Sequence, residues 1–288
     1  MSTQQHPGAR LRAAMKKGVV HAPGAFNALV ARAARQAGFE AVYVSGGATA
    51  NVSGFPDIGL LTMTEVCRTI REIADACDLP VIADADTGYG EVESCARTVV
   101  AYERAGAAAL HLEDQVFPKR CGHLDGKDLI PCQAMAEKVA AMAAARMHPD
   151  FVIIARTDAR HVSGMKDAVD RANAYRAAGA DVIFPEGLQS EAEFAEFAKG
   201  SPGPLLANMT EFGKTPDISV ARFGELGYSI VIHPLTVMRV AMGSVTAALD
   251  RLKQDGSAAA LLPQMQTRQQ LYDLLGYKPG RAWPFPRG

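Results

Sequence analysis

Ala105-Gly106-Ala107-Ala108-Ala109-Leu110-His111-Leu112-Glu113-Asp114 is the stretch that decides the fold. A helical segment, residues 91–104, halts at a glycine, the residue that tolerates the left-handed position just past a helix end. An apolar run follows, and it delivers two carboxylates. The phrase recurs as Ala37-Gly38-Phe39 before Ala41-Val42-Tyr43-Val44, and as Ala178-Gly179-Ala180 before Val182-Ile183-Phe184. A fourth copy is Leu226-Gly227-Tyr228 before Ile230-Val231-Ile232. Residues 79–83, 151–155 and 204–207, with the weaker 18–22, bring the apolar strands to eight.

Helical segments separate them at 27–36, 62–77, 91–104, 133–146, 166–177, 191–199, 218–225 and 236–254. Thr62-x-x-Glu65 fits a capping box. Strands that are apolar throughout, rather than alternating, imply burial on both faces and so a parallel sheet under helices. Eight alternations close most simply as a (β/α)8 TIM-type barrel of class α/β; an open doubly wound sheet is the alternative. No strand runs into a GxGxxG turn, which disfavours a dinucleotide fold. Residues 258–275 read as further helices, and Trp283-Pro284-Phe285-Pro286 is too rich in proline for helix or strand. We therefore expect one barrel domain over 1–288, with a C-terminal helical extension and tail from about residue 255.

An apolar content of 48% supports a large core, and a formal charge of −1 offers nothing to nucleic acid or an anionic membrane. The five cysteines are odd in number and none is spaced as CxxC, so reduced thiols in a cytoplasmic protein are expected and a zinc site is not.

In such a barrel, chemistry sits where strands end. Those positions read Tyr43-Val44-Ser45-Gly46-Gly47, Asp84-Ala85-Asp86, Glu113-Asp114, Arg156-Thr157-Asp158, Pro185-Glu186, Asn208-Met209-Thr210-Glu211 and His233-Pro234. Ser45, Asp158 and Thr210 are ordinary cap residues. Asp84 and Asp86, two apart on a strand, should share a face and suit Mg²⁺, or Mn²⁺, with water and substrate completing the shell. Pairing with a lysine or arginine is the alternative. Arg156 would then meet a substrate carboxylate in bidentate fashion. Just beyond strand four, Lys119-Arg120-Cys121-Gly122-His123 sets a thiol among potential cations, which should lower its pKa. Metal, guanidinium and thiol together suit enolate chemistry on an anionic small molecule.

Those residues resemble the isocitrate lyase and phosphoenolpyruvate mutase superfamily, and within it the 2-methylisocitrate lyase branch, from about Gly18 to Tyr277. The likeness rests on Tyr-Val-Ser-Gly-Gly (43–47), Asp-Ala-Asp-Thr-Gly-Tyr-Gly (84–90), His-Leu-Glu-Asp-Gln (111–115), Lys-Arg-Cys-Gly-His (119–123), Ala-Arg-Thr-Asp-Ala (155–159) and Phe-Pro-Glu (184–186). It continues in the stretch from Ala207 to Pro216 and in Met-Gln-Thr-Arg-x-x-Leu-Tyr (265–272). Lys-Arg-Cys-Gly-His is the most specific of these, marking the branch with a catalytic cysteine.

The resemblance implies a barrel whose last helix is exchanged between subunits of a homotetramer, acting on a tricarboxylate or 2-hydroxy dicarboxylate in propionate metabolism (the methylcitrate cycle). It implies Mg²⁺ at Asp84 and Asp86, with Asp57, Glu113 and Lys119 close by. Ser45, Gly46 and Gly47 would hold a carboxylate through backbone N–H groups. Cys121, Gly122, Arg156, Glu186, Asn208, Met209, Thr210, Arg239 and Arg268 would complete the pocket. Cleavage to pyruvate and succinate would be a retro-aldol step with Cys121 as general acid, His123, Lys119 and Glu113 in support, and either Tyr43 or a metal-bound hydroxide as base. A loop from Phe117 to Lys127 would close over the substrate. Leu124 stands where that branch often has arginine. Related lyases of 2,3-dimethylmalate or isocitrate, a 2-oxo acid decarboxylase or hydrolase, and a non-catalytic carboxylate-binding barrel therefore stay open.

Overall fold

The computed structural model describes residues 5–120, 122 and 126–283. Its strands are β1 (Val20–Pro23), β2 (Val42–Val44), β3 (Val81–Asp84), β4 (Ala109–Glu113), β5 (Val152–Thr157), β6 (Val182–Pro185), β7 (Leu206–Asn208) and β8 (Ile230–His233). All neighbours pair in parallel, in the orders β2-β3-β4-β5-β6 and β1-β8-β7. Single parallel bridges, Gly24 with Tyr43 and Ile183 with Leu205, join the two arcs into a closed ring. The barrel expected from the eight alternations is the observed architecture.

The helices are α1 (Pro7–Lys17), α2 (Ala28–Gln36), α3 (Gly46–Val52), α4 (Met63–Cys77), α5 (Val92–Arg104), α6 (Cys132–Ala145), α7 (Ala159–Val162), α8 (Met165–Ala177), α9 (Glu191–Gly200), α10 (Val220–Glu225), α11 (Thr236–Asp255) and α12 (Arg268–Leu275). The Thr62–Glu65 capping box heads α4 as expected. Three helices escaped sequence reading. α3 and α7 are too short to show a period, and α1 is a polar segment that only tertiary contact explains. Its Leu11 and Ala14 join the barrel's inner core, and Arg12 donates to the carbonyls of Asp150 and Phe151 at the foot of β5.

Side chains alternate across each strand with a period of two. Val20, Ala22, Ile82, Ala109, Val152, Ile154, Leu206 and Ile230 fill the interior, while Val42, Val44, Val81, Leu110, Leu112 and Ile153 pack against the helices. Continuing the inward register to the C-terminal rim brings Tyr43, Asp84, His111, Glu113, Arg156, Glu186 and Asn208 to the inside. Parallel pairing then sets Asp84 beside His111, and Glu113 beside Arg156.

The α11 helix is long and open, since none of its twenty residues is buried. Val240, Met242, Val245, Leu249 and Leu252 are exposed along it. Beyond α11, a 3-10 turn (Ala259–Gln264) leads to α12, and the indole of Trp283 donates to the Leu275 carbonyl at 2.9 Å. Among the described residues no helix is long and apolar enough to cross a membrane.

Candidate active site

At the C-terminal rim two charged groups face each other across one cavity of about 60 Å³. On one side stand Asp57, Asp84 and Asp86 around the ammonium of Lys119. Asp86 lies 2.8 Å from Lys119 Nζ, and Asp57 accepts a hydrogen bond from the same nitrogen. Burial opposes the charge on Lys119, but Glu113, Asp86, Asp84 and Asp57 together hold it protonated. Burial also works against Asp84, yet His111, Lys119 and Arg156 outweigh it and keep its pKa at about 2. Asp86 is pushed up, to about 6, by burial and by Asp84.

The two aspartates do not share a strand face in the way their spacing implies. β3 ends at Asp84, and Asp86 sits in a left-handed turn with φ +47°, its N–H donating to Asp84 Oδ1 at 3.0 Å. A tight turn, not the strand period, brings the carboxylates together. The alternative expected for such a pair, a lysine partner, is also present as Lys119.

The residues nonetheless fit a hard cation. Asp86 Oδ1 is buried, and the cation it meets is the Lys119 ammonium at 2.8 Å, with no further hydrogen bond directed at it among the described residues. Gly46 and Gly47 press against the same carboxylates: a Cβ on Gly46 would fall 2.8 Å from Asp84 Oδ2, and one on Gly47 would fall 3.1 Å from Asp57 Oδ2. Among the described residues no three His, Cys, Asp or Glu side chains already form a coordinating cluster. An ion here would draw on one or two carboxylates and keep water, which is the habit of Mg²⁺.

Arg156 occupies the opposite side. Its Nη1 lies 3.2 Å from Glu113 and 3.4 Å from Glu186. Its Nε and Nη2 donate to the two oxygens of Asp158 at 2.9 and 3.1 Å. The bidentate edge expected to meet substrate is therefore taken by Asp158, and an incoming carboxylate would have to share the Nη1/Nη2 edge with Glu113 and Glu186. Both Glu113 oxygens are buried without an aligned donor among the described residues, and burial, opposed by Arg156 and Lys119, lifts its pKa far above the usual range.

Ser45 caps α3 by accepting the Ala48 N–H at 3.2 Å, the cap role expected of it. The Gly46 N–H donates to Asp84 Oδ2 at 3.0 Å, which takes that group from the carboxylate-binding set. Asn208 donates to Glu186 at 3.1 Å, and Thr210 Oγ1 to Asn208 Oδ1 at 2.9 Å, so Thr210 orders the wall instead of capping a helix. Tyr43 Oη lies 2.6 Å from His111 Nε2. Burial and then Asp84 raise the phenol pKa well above its ordinary value, and burial lowers that of His111. The contact joins the phenol to a ring nitrogen that also lies 3.5 Å from Asp84 Oδ1, so Tyr43 stands at the rim within reach of the aspartate group.

Gly122 lines the cavity with Tyr43, Ser45, Gly47, Lys119 and Glu186. Besides Gly46, three expected residues do not join them. Met209 follows the outward register of β7 and packs in the core between sheet and helices. Arg239, on α11, is held by the side chain and carbonyl of Glu211. Arg268 begins α12, among the helices outside the barrel. Cys121, His123 and Leu124 lie outside the described residues. Sequence reading missed His111, Lys127 and the true use of Asp158: that residue precedes α7, yet its carboxylate makes no cap and turns inward to Arg156. A roomier cavity of about 640 Å³ has Asp86 in its wall, while Asp84, Asp57 and Lys119 line the smaller one. The smaller one is the candidate site, because the opposed charges converge there.

Residues 11–253 match the family model for phosphoenolpyruvate phosphomutase. A protein of Corynebacterium glutamicum named "Probable 2-methylisocitrate lyase 1" is 52% identical over 261 residues, 90% of this chain and 86% of that one. The crystal structure of a 2,3-dimethylmalate lyase superposes with TM-score 0.89 at 39% identity, covering 95% of this chain and 92% of that chain. A phosphonopyruvate hydrolase solved with oxalate and Mg²⁺ superposes with TM-score 0.85 at 33% identity, covering 94% and 95%. The chain is a member of the phosphoenolpyruvate mutase/isocitrate lyase superfamily.

Proposed function

We propose that this chain is a carbon–carbon lyase that cleaves 2-methylisocitrate to pyruvate and succinate. The observation that carries the reading is the opposition, across one cavity, of an aspartate group fit for a divalent cation and an arginine lodged among carboxylates, with Gly122 of the Lys-Arg-Cys-Gly-His motif between them. Relatives that bear the name 2-methylisocitrate lyase support the substrate, and the oxalate- and Mg²⁺-bound relative supports the metal.

Asp84 and Asp86 would hold Mg²⁺, with Asp57 beside them; when bound, the ion supplies a positive charge against the 2-hydroxy carboxylate that becomes pyruvate. Arg156, through its Nη1/Nη2 edge, and Asn208 face the second fragment and balance the charge that builds as the bond breaks. A base at the rim, for which Tyr43 is the protein's candidate, takes the hydroxyl proton as the carbonyl of pyruvate forms, and the electrons of the broken bond pass to the succinate carbon. Cys121 protonates that carbon. A cavity of about 60 Å³ lies below the roughly 300 Å³ of ordinary small-molecule sites, so its lining must open for substrate to enter.

We further propose that the chain works as one barrel domain in a homotetramer, the open face of α11 docking on a second copy. Pyruvate release, followed through lactate dehydrogenase with Mg²⁺ and with EDTA, tests the activity. Isocitrate and 2,3-dimethylmalate run beside 2-methylisocitrate decide the substrate. No pyruvate from any of the three would overturn the assignment.

A further inference from the structure

We propose that Lys127 and Asp158 are positioning residues for the thiol step, seating the Gly122 peptide on the floor formed by Arg156 and Glu186. The inference rests on the lyase reading above and assigns two residues that reading leaves without a role.

Lys127 Nζ donates to Asp158 Oδ1 at 2.8 Å and also to the carbonyl oxygen of Gly122. Side-chain exposure is 1% for Lys127 and 0% for Asp158. The same Asp158 oxygen accepts from Arg156 Nη2 at 3.1 Å. One carboxylate thus serves two cations, one on the barrel wall and one at the end of the motif loop. Gly122 lies flat on this arrangement: a Cβ there would stand 2.5 Å from Arg156 Nη2 and would collide with Glu186 Cγ. Its backbone φ is not in the left-handed range, so glycine is required for room and not for conformation.

A buried ammonium is costly unless charge and hydrogen bonds compensate it. Among the described residues the partners of Lys127 are Asp158 and the Gly122 carbonyl, so seating Gly122 adds the second hydrogen bond to an ammonium already paired with Asp158. Asp158 meanwhile occupies the Nε/Nη2 edge of Arg156 and turns the other edge to the cavity. Loop position and guanidinium orientation are therefore tied through one side chain. Cys121 is one peptide bond away, and consecutive Cα atoms stand about 3.8 Å apart, so a shift at Gly122 is a shift at the thiol-bearing residue. Misplacement of about 1 Å at a reacting group can cost on the order of 10²-fold in rate.

The test compares the full-length wild type with Lys127→Met, Lys127→Arg and Asp158→Asn. Steady-state kinetics with 2-methylisocitrate and Mg²⁺ are paired with iodoacetamide labelling of Cys121 in ligand-free protein, read by peptide mass spectrometry with Cys67 as internal reference. For Lys127→Met we expect kcat to fall about 10²-fold with KM changed only several-fold. Cys121 labelling should rise several-fold while Cys67 labelling is unchanged, and Lys127→Arg should recover part of both. Asp158→Asn should add a rise in KM, because Arg156 loses its orienting partner. If Asp158→Asn does not fold, Lys127→Met decides alone. Wild-type kcat in Lys127→Met, or a loss of kcat with wild-type Cys121 labelling, overturns the proposal. Absence of pyruvate from the wild type overturns the lyase reading instead, and the labelling comparison still shows whether Lys127 seats the loop.

Discussion

Asp114 Oδ1 accepts the backbone N–H of Asp158 at 2.9 Å, and both residues are fully buried. The other Asp114 oxygen accepts from Thr157 Oγ1 and Tyr175 Oη, each at 2.8 Å. A carboxylate facing the helix layer thus fixes the backbone that aims Asp158 at Arg156. Asp114→Ala strands two hydroxyls and an amide in a dry interior, and should cost about 2–4 kcal/mol of stability in a denaturant melt. Asp114→Asn keeps one acceptor and should cost less.

Cys121→Ser tests the proton donor. An alcohol is a far weaker acid than a thiol, so turnover should fall by orders of magnitude while circular dichroism and Mg²⁺-dependent stabilisation stay near wild type. Unchanged turnover removes the cysteine from the mechanism.

The glycine cradle gives a test of the metal that is independent of activity. Gly46→Ala places a methyl 2.8 Å from Asp84 Oδ2 and 3.2 Å from Asp86 Oδ1, so the carboxylates must move. Wild-type protein should gain thermal stability with millimolar Mg²⁺, because a ligand that binds only the folded state stabilises it. The variant should lose most of that gain. An equal gain in both would argue that the ion sits elsewhere.

The open face of α11 makes assembly measurable. Val240 is 67% exposed and Leu249 60%. A Val240→Glu/Leu249→Glu double variant should run as a smaller species by light scattering while its secondary structure is retained. Cost to the isolated fold should be slight, since no residue of this helix is buried in its own chain.

Acid should weaken the fold through a histidine pair. His21 and His233 point outward from adjacent strands, with His21 Nε2 2.9 Å from His233 Nδ1. Burial lowers both pKa values from 6.5, with His233 adding to the effect at His21, while Glu211 and Asp217 partly oppose it at His233. Below pH 6.5 the unfolded chain takes up protons that the folded pair resists, so stability falls as pH drops from that value toward the lowered pKa. Above it, the pair contributes no pH dependence. His233→Gln should flatten the decline in melting temperature between pH 7.5 and 5.5.

Much of the site could be read before the fold was seen, because parity along a strand is a property of the chain. Asp84, Glu113, Arg156, Glu186 and Asn208 continue the inward register of Ile82, Ala109, Ile154, Phe184 and Leu206, and the barrel gathers them. The same parity, applied strictly, turns Met209 outward with Ala207; that expectation failed because membership of the motif was set above the strand period. Asp158 was misjudged for a different reason. Its place before a helix makes a cap the ordinary use, and nothing local reveals that Arg156, two residues back, and Lys127, thirty-one residues back, converge on it.

Local chemistry by itself determined the eight strands, their helices and the rim on which the charges lie, since glycine stops, apolar runs and capping residues act within a few positions of one another. Only the tertiary structure decided which carboxylate meets which cation. Parallel register sets Glu113 beside Arg156, the Asp86 turn folds that residue back on Asp84, and burial makes Lys119 and Lys127 depend on Asp57 and Asp158, far away in the chain. Those pairings are energies of proximity in a medium without water, and proximity across a barrel is not written in the order of residues.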